Sequence, residues 1–80
     1  MNNNEIMAKI KEIIAEHLGE EEENIQPTSA IADDLGADSL DFVEMSIACE
    51  ETFDVKIETE DLGDIRTVQD MVDFIAKRID

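Results

Sequence analysis

Apolar residues recur at three- and four-residue spacing in three separate stretches of this chain, and nowhere alternate long enough to build a sheet. A period near 3.6 marks amphipathic helices. In the first stretch, from Glu5 to Leu18, the side chains of Ile6, Ile10, Ile13, Ile14 and Leu18 form one stripe, and Gly19 follows as a C-terminal stop. The second stretch runs from Ser39 to Phe53, with Asp38 as a good N-cap. The third is capped by Thr67 and carries Val68, Met71, Val72, Ile75 and Ile79, with Asp70 placed to close a capping box. Between the last two, Val55-Lys56-Ile57 reads as extended; Thr59 then caps a short turn through Leu62 that Gly63 breaks. The expected fold is all-α, a small bundle of three principal helices plus one short helix. Glu20 to Ala37 becomes a long loop between the first and second helices, a length that is unusual unless the loop is functional or packed. Its acidic run, Glu20 to Glu23, reads as solvated surface, and Ile25, Ile31 and Leu35 are expected to pin it to the core.

Residues 1–80 make a single small domain on this reading. A chain of that size buries only about 60% of its unfolded surface, which leaves little volume for a deep catalytic cleft and favours a binding or carrier role. Twenty-two acids against six bases give a formal charge of −16. Self-repulsion at that density opposes compaction. It disfavours nucleic acid, whose recognition needs a cationic surface, and the anionic surface of a membrane. Between Glu12 and Ile65, Lys56 is the only Lys or Arg, so the middle of the chain is the acidic face and a protein with a basic patch is the favoured partner. Cys49 stands alone and can form no internal disulfide. No apolar run approaches a membrane span, and Met1-Asn2-Asn3-Asn4 lacks the pattern of a secretory signal. A cytoplasmic monomer without membrane insertion is expected.

The second helix is apolar on two sides. At about 100° per residue, Phe42, Met45, Ser46, Cys49 and Phe53 share the core-facing side. Leu40, Val43 and Ile47 fall largely on the other, interleaved with Glu44 and Glu51 and flanked by Asp41 and Glu50. Scattered exposed aliphatics need no explanation, but a stripe of them among acids has the make-up of a docking surface, with steering charge around an apolar anchor. Ser39 opens this helix. Free backbone N–H groups and the positive end of the dipole favour a phosphate there, whereas Asp38 and Asp41 beside it oppose one. That combination makes sense where a second, basic protein handles the acids and installs the phosphate.

The run Asp33-Asp34-Leu35-Gly36-Ala37-Asp38-Ser39-Leu40-Asp41 resembles the attachment motif of bacterial acyl carrier proteins of the type II fatty-acid synthesis kind. The similarity continues through Val43-Glu44, Glu50-Glu51, Phe53-Asp54 and Thr67-Val68-Gln69, and covers nearly the whole chain. It implies a 4′-phosphopantetheine, taken from coenzyme A and attached covalently to Ser39, with Asp38 as the helix cap beside it. It further implies acyl groups carried as thioesters on that arm and shuttled between fatty-acid biosynthesis enzymes. Leu40, Asp41, Val43, Glu44, Ile47, Glu50 and Glu51 then match the partner-binding positions. Phe42, Ser46, Cys49, Ile57 and Ile65 are candidates to line an acyl pocket. The implied partners are a phosphopantetheinyl transferase of the holo-acyl-carrier-protein synthase kind, and synthesis enzymes and acyltransferases with basic patches. Glu58 stands where the family often has proline, and Gly63-Asp64-Ile65-Arg66 is looser than the usual run.

Other readings are weaker. An enzyme with Ser39 as nucleophile and His17 as base lacks the elbow glycine and a third group, and His17 in the last turn of its helix is accounted for by the dipole. Asp33 to Glu44 has the length of an EF-hand loop, but Leu35, Ala37 and Asp38 occupy positions that need two oxygen ligands and a glycine, so no metal site is expected. A carrier for a polyketide, lipid-modification or aminoacyl pathway shares the motif, and an acidic interaction adaptor without a prosthetic group shares the bulk features.

Overall fold

A computed structural model of the chain describes residues 2–79. Three α-helices dominate it: α1 (Asn3–Leu18), α2 (Ser39–Phe53) and α3 (Val68–Arg78). Short 3-10 segments occupy Glu22–Asn24 and Thr59–Asp64. Among the described residues there is no strand; the one β-type pairing is an isolated antiparallel bridge between Ala30 and Thr67. The all-α expectation and the span of α2 therefore agree with the structure.

The stripe of α1 supplies the centre of the core. Ile6, Ile10 and Ile14 are buried, while Ile13 and Leu18 are half-buried at its margin. Met45, Cys49 and Phe53 meet them from α2, and Val68, Met71, Val72 and Ile75 from α3. Helix α1 packs broadly against both other helices, whereas no comparably broad contact joins α2 to α3. Grooves lie instead where α2 faces the loop and the second 3-10 segment.

The long loop is packed rather than free. Ile25 and Ile31 are fully buried and Leu35 is half-buried. The loop also caps α3. A helix start leaves its first N–H groups without intrahelical partners, and here Val68 donates to the Ser29 carbonyl (3.1 Å), Gln69 to the Pro27 carbonyl (2.9 Å) and Asp70 to the Thr67 hydroxyl (3.1 Å). The chain then turns back through Gly36, whose φ of 77° lies in the left-handed region that glycine enters without cost. An Ala37 N–H bond to the Ile31 carbonyl (3.1 Å) closes that turn and delivers Asp38 and Ser39 to the start of α2.

Local caps differ from expectation in two places. Helix α1 starts earlier than Glu5, because Asn2 and Glu5 form a capping box: the Glu5 N–H donates to Asn2 Oδ1 at 2.9 Å. The short segment after α2 is capped by Glu58, not Thr59. The Glu58 N–H donates to Asp61 Oδ2 (2.9 Å), and the Asp61 N–H returns to the Glu58 carbonyl (3.0 Å). Gly63 lies inside that segment, which continues to Asp64. The extended-looking Val55-Lys56-Ile57 pairs with no strand; the Ile57 N–H donates instead to Glu50 Oε2 at 2.8 Å.

The α3 cap is sensitive to acid. Backbone N–H groups of Thr67 and then Arg66, each 3.1 Å from Asp70 Oδ2, hold the Asp70 carboxyl below the usual carboxylate range. A folded-state pKa below the unfolded one adds stability that is complete above the unfolded value, about 3.9, and is lost as pH falls through the folded value. The stability gap between the protein and Asp70→Asn should therefore be constant above about pH 5. It should close below about pH 4, as followed by urea melts across pH, and a gap that widens on acidification would contradict the cap.

Candidate functional site

The site is built on the first turn of α2. Asp38 is extended (φ −99°, ψ −175°), and its Oδ1 accepts the Asp41 N–H at 2.9 Å while Asp41 Oδ2 accepts the Asp38 N–H at 3.0 Å. This reciprocal box fixes the start of the helix. Ser39, at the first helical position, is exposed and takes no part in the box. Its hydroxyl is thus free for chemistry on a rigidly placed backbone, next to N–H groups that favour a phosphate.

Beside Ser39 lies an open groove of about 260 Å³, lined by Ser39, Phe42, Val43, Thr59, Leu62 and Gly63. A second groove of about 480 Å³ shares Phe42 and Leu62 with it and continues past Ile65 to Ala30 and Thr67. Of the acyl-pocket candidates, Phe42 and Ile65 line these grooves. Ser46, Cys49 and Ile57 line neither. The Ser46 hydroxyl donates back to the Val43 carbonyl at 2.7 Å, and Cys49 is fully buried between helices. Burial pushes the Cys49 thiol up to about 12, with Glu50 adding to the shift, so it is an inert core residue. Leu62, which the sequence does not mark as a pocket residue, lines both grooves from the second 3-10 segment.

The outer face of α2 is as the periodicity indicates. Among the described residues, Leu40 (65% exposed), Ile47 (49%) and Val43 (39%) are the exposed large apolar ones. Glu44 and Glu51 stand exposed among them and Asp41 is half-buried. Glu50 belongs elsewhere: half-buried, it spends a carboxylate oxygen on the Ile57 N–H. His17, accounted for in the sequence by the helix dipole alone, is brought by the α1–α2 packing to within 3.1 Å of Glu44 Oε1 and 3.5 Å of Asp41 Oδ1.

Residues 8–75, most of the chain, match the family described as Phosphopantetheine attachment site. The chain belongs to the acyl carrier protein family. It is 53% identical over 72 residues to the acyl carrier protein of Syntrophobacter fumaroxidans, covering 90% of this chain and 89% of that one. It is 44% identical over 79 residues to the acyl carrier protein of Thermosynechococcus vestitus, covering 99% and 98%. The crystal structure of an acyl carrier protein from Thermotoga maritima matches with a TM-score of 0.82 at 31% identity, over 98% of this chain and 91% of that one. The solution structure of the apo doublet acyl carrier protein from prodigiosin biosynthesis matches with a TM-score of 0.83 over 95% of this chain and 37% of that one; at 24% identity it speaks for the fold alone.

An acyl carrier protein is a carrier and not an enzyme, and its attachment domain bears a covalent 4′-phosphopantetheine. The residues here fit such a group. Ser39 offers an unencumbered hydroxyl, and the adjoining groove offers predominantly apolar walls for a slender arm. As a carrier of this family the protein works with a phosphopantetheinyl transferase and with acyl-handling enzymes. No helix among the described residues is long and apolar enough to cross a membrane.

Proposed function

We propose that Ser39 is the attachment point of the 4′-phosphopantetheine and that residues 1–80 act as one carrier unit for acyl chains in fatty-acid biosynthesis, in the cytoplasm and as a monomer. The observation that carries this reading is the exposed Ser39 hydroxyl at the first position of α2, outside the capping box and at the mouth of the Phe42–Leu62 groove. The prosthetic group supplies a terminal thiol as the acceptor for acyl groups. The chain's own residues do the rest. Asp38 and Asp41 hold the helix start rigid, and Phe42, Leu62 and Ile65 offer apolar walls to a carried chain. Leu40, Val43 and Ile47 give partner enzymes an apolar anchor, and Asp41, Glu44 and Glu51 give their basic patches a steering charge. Glu50 supports this strip from behind by holding the chain that leaves α2.

The attachment is tested by incubation with coenzyme A and a phosphopantetheinyl transferase, looking for a single mass addition that Ser39→Ala removes. The pathway is tested separately. A fatty-acid elongation mixture stripped of its own carrier should extend acyl chains when the loaded protein is added. Full loading without extension would keep Ser39 as the attachment point and overturn the fatty-acid assignment.

A further inference from the structure

The junction of α1 and α2 gathers the protein's single histidine and two carboxylates around a common point. His17 comes from the last turn of α1, and Asp41 and Glu44 lie three residues apart on one face of α2. One ligand atom from each of the three residues lies within 4.8 Å of the others. Nε2 of His17 is 3.1 Å from Glu44 Oε1 and 3.5 Å from Asp41 Oδ1. A single ring nitrogen carries at most one proton and can satisfy only one of these oxygens well. The second carboxylate is then left close to a like charge, in a chain whose net charge is already −16.

We propose that His17, Asp41 and Glu44 form a binding site for a divalent transition metal of the Zn²⁺ class, joining α1 to α2. Zinc holds nitrogen and oxygen ligands at about 2.0–2.1 Å in a tetrahedron, which sets neighbouring ligand atoms about 3.3–3.4 Å apart. The two separations from Nε2 lie on either side of that value. Asp41 is already oriented for the task, since its Oδ2 is taken by the Asp38 N–H and its Oδ1 is the oxygen turned to the imidazole. The side chains of His17 and Asp41 are 27% and 30% exposed and that of Glu44 is 51%, so an ion can enter and water can fill the remaining coordination position. An imidazole nitrogen in the set selects for Zn²⁺ or Co²⁺ over Mg²⁺ and Ca²⁺, which take oxygen ligands. That nitrogen sets this cluster apart from the many carboxylates elsewhere on the surface, which can only gather hard cations loosely.

The site does not depend on the carrier role. Where that role and the docking strip hold, a bound ion would also mask two of the strip's acids, Asp41 and Glu44.

The test uses the full chain in a large excess of Mg²⁺, which saturates the acid-only positions. Zn²⁺ is titrated while the lone imidazole is followed by NMR and binding by calorimetry. One ion per chain should bind and move the His17 ring signals. His17→Gln and Glu44→Gln should each weaken binding by about tenfold or more, since even supporting-shell losses cost 10–100-fold. Zn²⁺ should raise the melting temperature of the wild type more than that of either variant. Ring signals that stay put during binding, variants that bind as tightly as the wild type, or no binding above the Mg²⁺ background would each overturn the proposal. Glu44 is exposed and keeps no hydrogen bond of the fold, so its variant stays informative even if His17→Gln perturbs α1.

Discussion

Ser39→Ala is expected to abolish prosthetic-group loading completely while leaving stability within about 0.5 kcal/mol of wild type. The two effects separate because the fold and the chemistry use different residues of the same turn. On the proposed attachment, the Ser39 oxygen would displace adenosine 3′,5′-bisphosphate from the pyrophosphate of coenzyme A, losing its proton as it takes the pantetheine phosphate, and alanine has no oxygen to offer. Ser46 cannot substitute, since its hydroxyl is buried and committed to the Val43 carbonyl. The fold's share of the turn belongs to Asp38 and Asp41, whose side chains close the box around Ser39 without using it. Asp38→Ala should therefore behave in the opposite way, costing about 1 kcal/mol of stability and retaining the acceptor hydroxyl. A mass spectrum and a thermal melt on each variant read both quantities. A thiol titration gives an independent count. Cys49 is fully buried with its thiol pushed up to about 12, so the native unloaded protein should not react quickly. The loaded protein should then show the arm's thiol alone, and Ser39→Ala none. Loading of Ser39→Ala would move the attachment point elsewhere. Loss of loading accompanied by unfolding would show instead that Ser39 serves the fold.

How much of this could be read from the chain follows the range of the interactions involved. Helix α2 was legible from end to end, because Asp38 ahead of a two-sided apolar pattern is a local signal and the structure closes a cap there. The exposure of Leu40, Val43 and Ile47 was legible for the same reason, as the acids Glu44 and Glu51 interleaved with them at helical spacing mark which of the two apolar sides faces out. The caps at Asn2 and Glu58 are equally local, but neither stands out: Asn2 lies in a polar run, and Glu58 is a poor cap by type whose box is closed by Asp61. Gly63 looked like a terminator because glycine disfavours α-helix interiors, yet a short 3-10 segment passes through it. What spacing could not show is contact between distant segments. The loop carbonyls of Pro27 and Ser29 cap α3 some forty residues on, Leu62 reaches the groove by Phe42, and His17 reaches Glu44 across a helix pair. Each depends on how the helices cross, which no window of sequence contains.

That α1 is the shared wall of the bundle leads to the largest expected loss of stability. Ile10→Ala should destabilise the protein by about 2–5 kcal/mol, the usual cost of truncating a buried isoleucine and leaving a cavity. Ile10 is fully buried in the middle of the α1 stripe, and α1 packs broadly against both α2 and α3 while those two have no comparable contact with each other. A void there is not easily closed by one helix moving towards another, so relaxation is limited and the upper half of the range is favoured. At about 0.05–0.15 kcal/mol per residue, a domain of this size holds only about 4–12 kcal/mol in all. The charge of −16 pulls towards the lower end, since repulsion is relieved when the chain expands. In low salt the variant should therefore be substantially unfolded at temperatures where the wild type is folded. Raising NaCl towards 1 M shortens the screening length to about 3 Å, and should recover helical signal for Ile10→Ala without restoring the wild-type melting temperature, because screening removes repulsion but does not fill a cavity. Leu40→Ala is the control: Leu40 is 65% exposed and should shift stability by no more than about 0.5 kcal/mol at any salt concentration. Urea melts followed by circular dichroism across a salt series measure all three proteins. If Ile10→Ala costs less than about 1 kcal/mol, or if salt alone returns it to the wild-type melting temperature, α1 is not the element on which the packing of the other two helices depends.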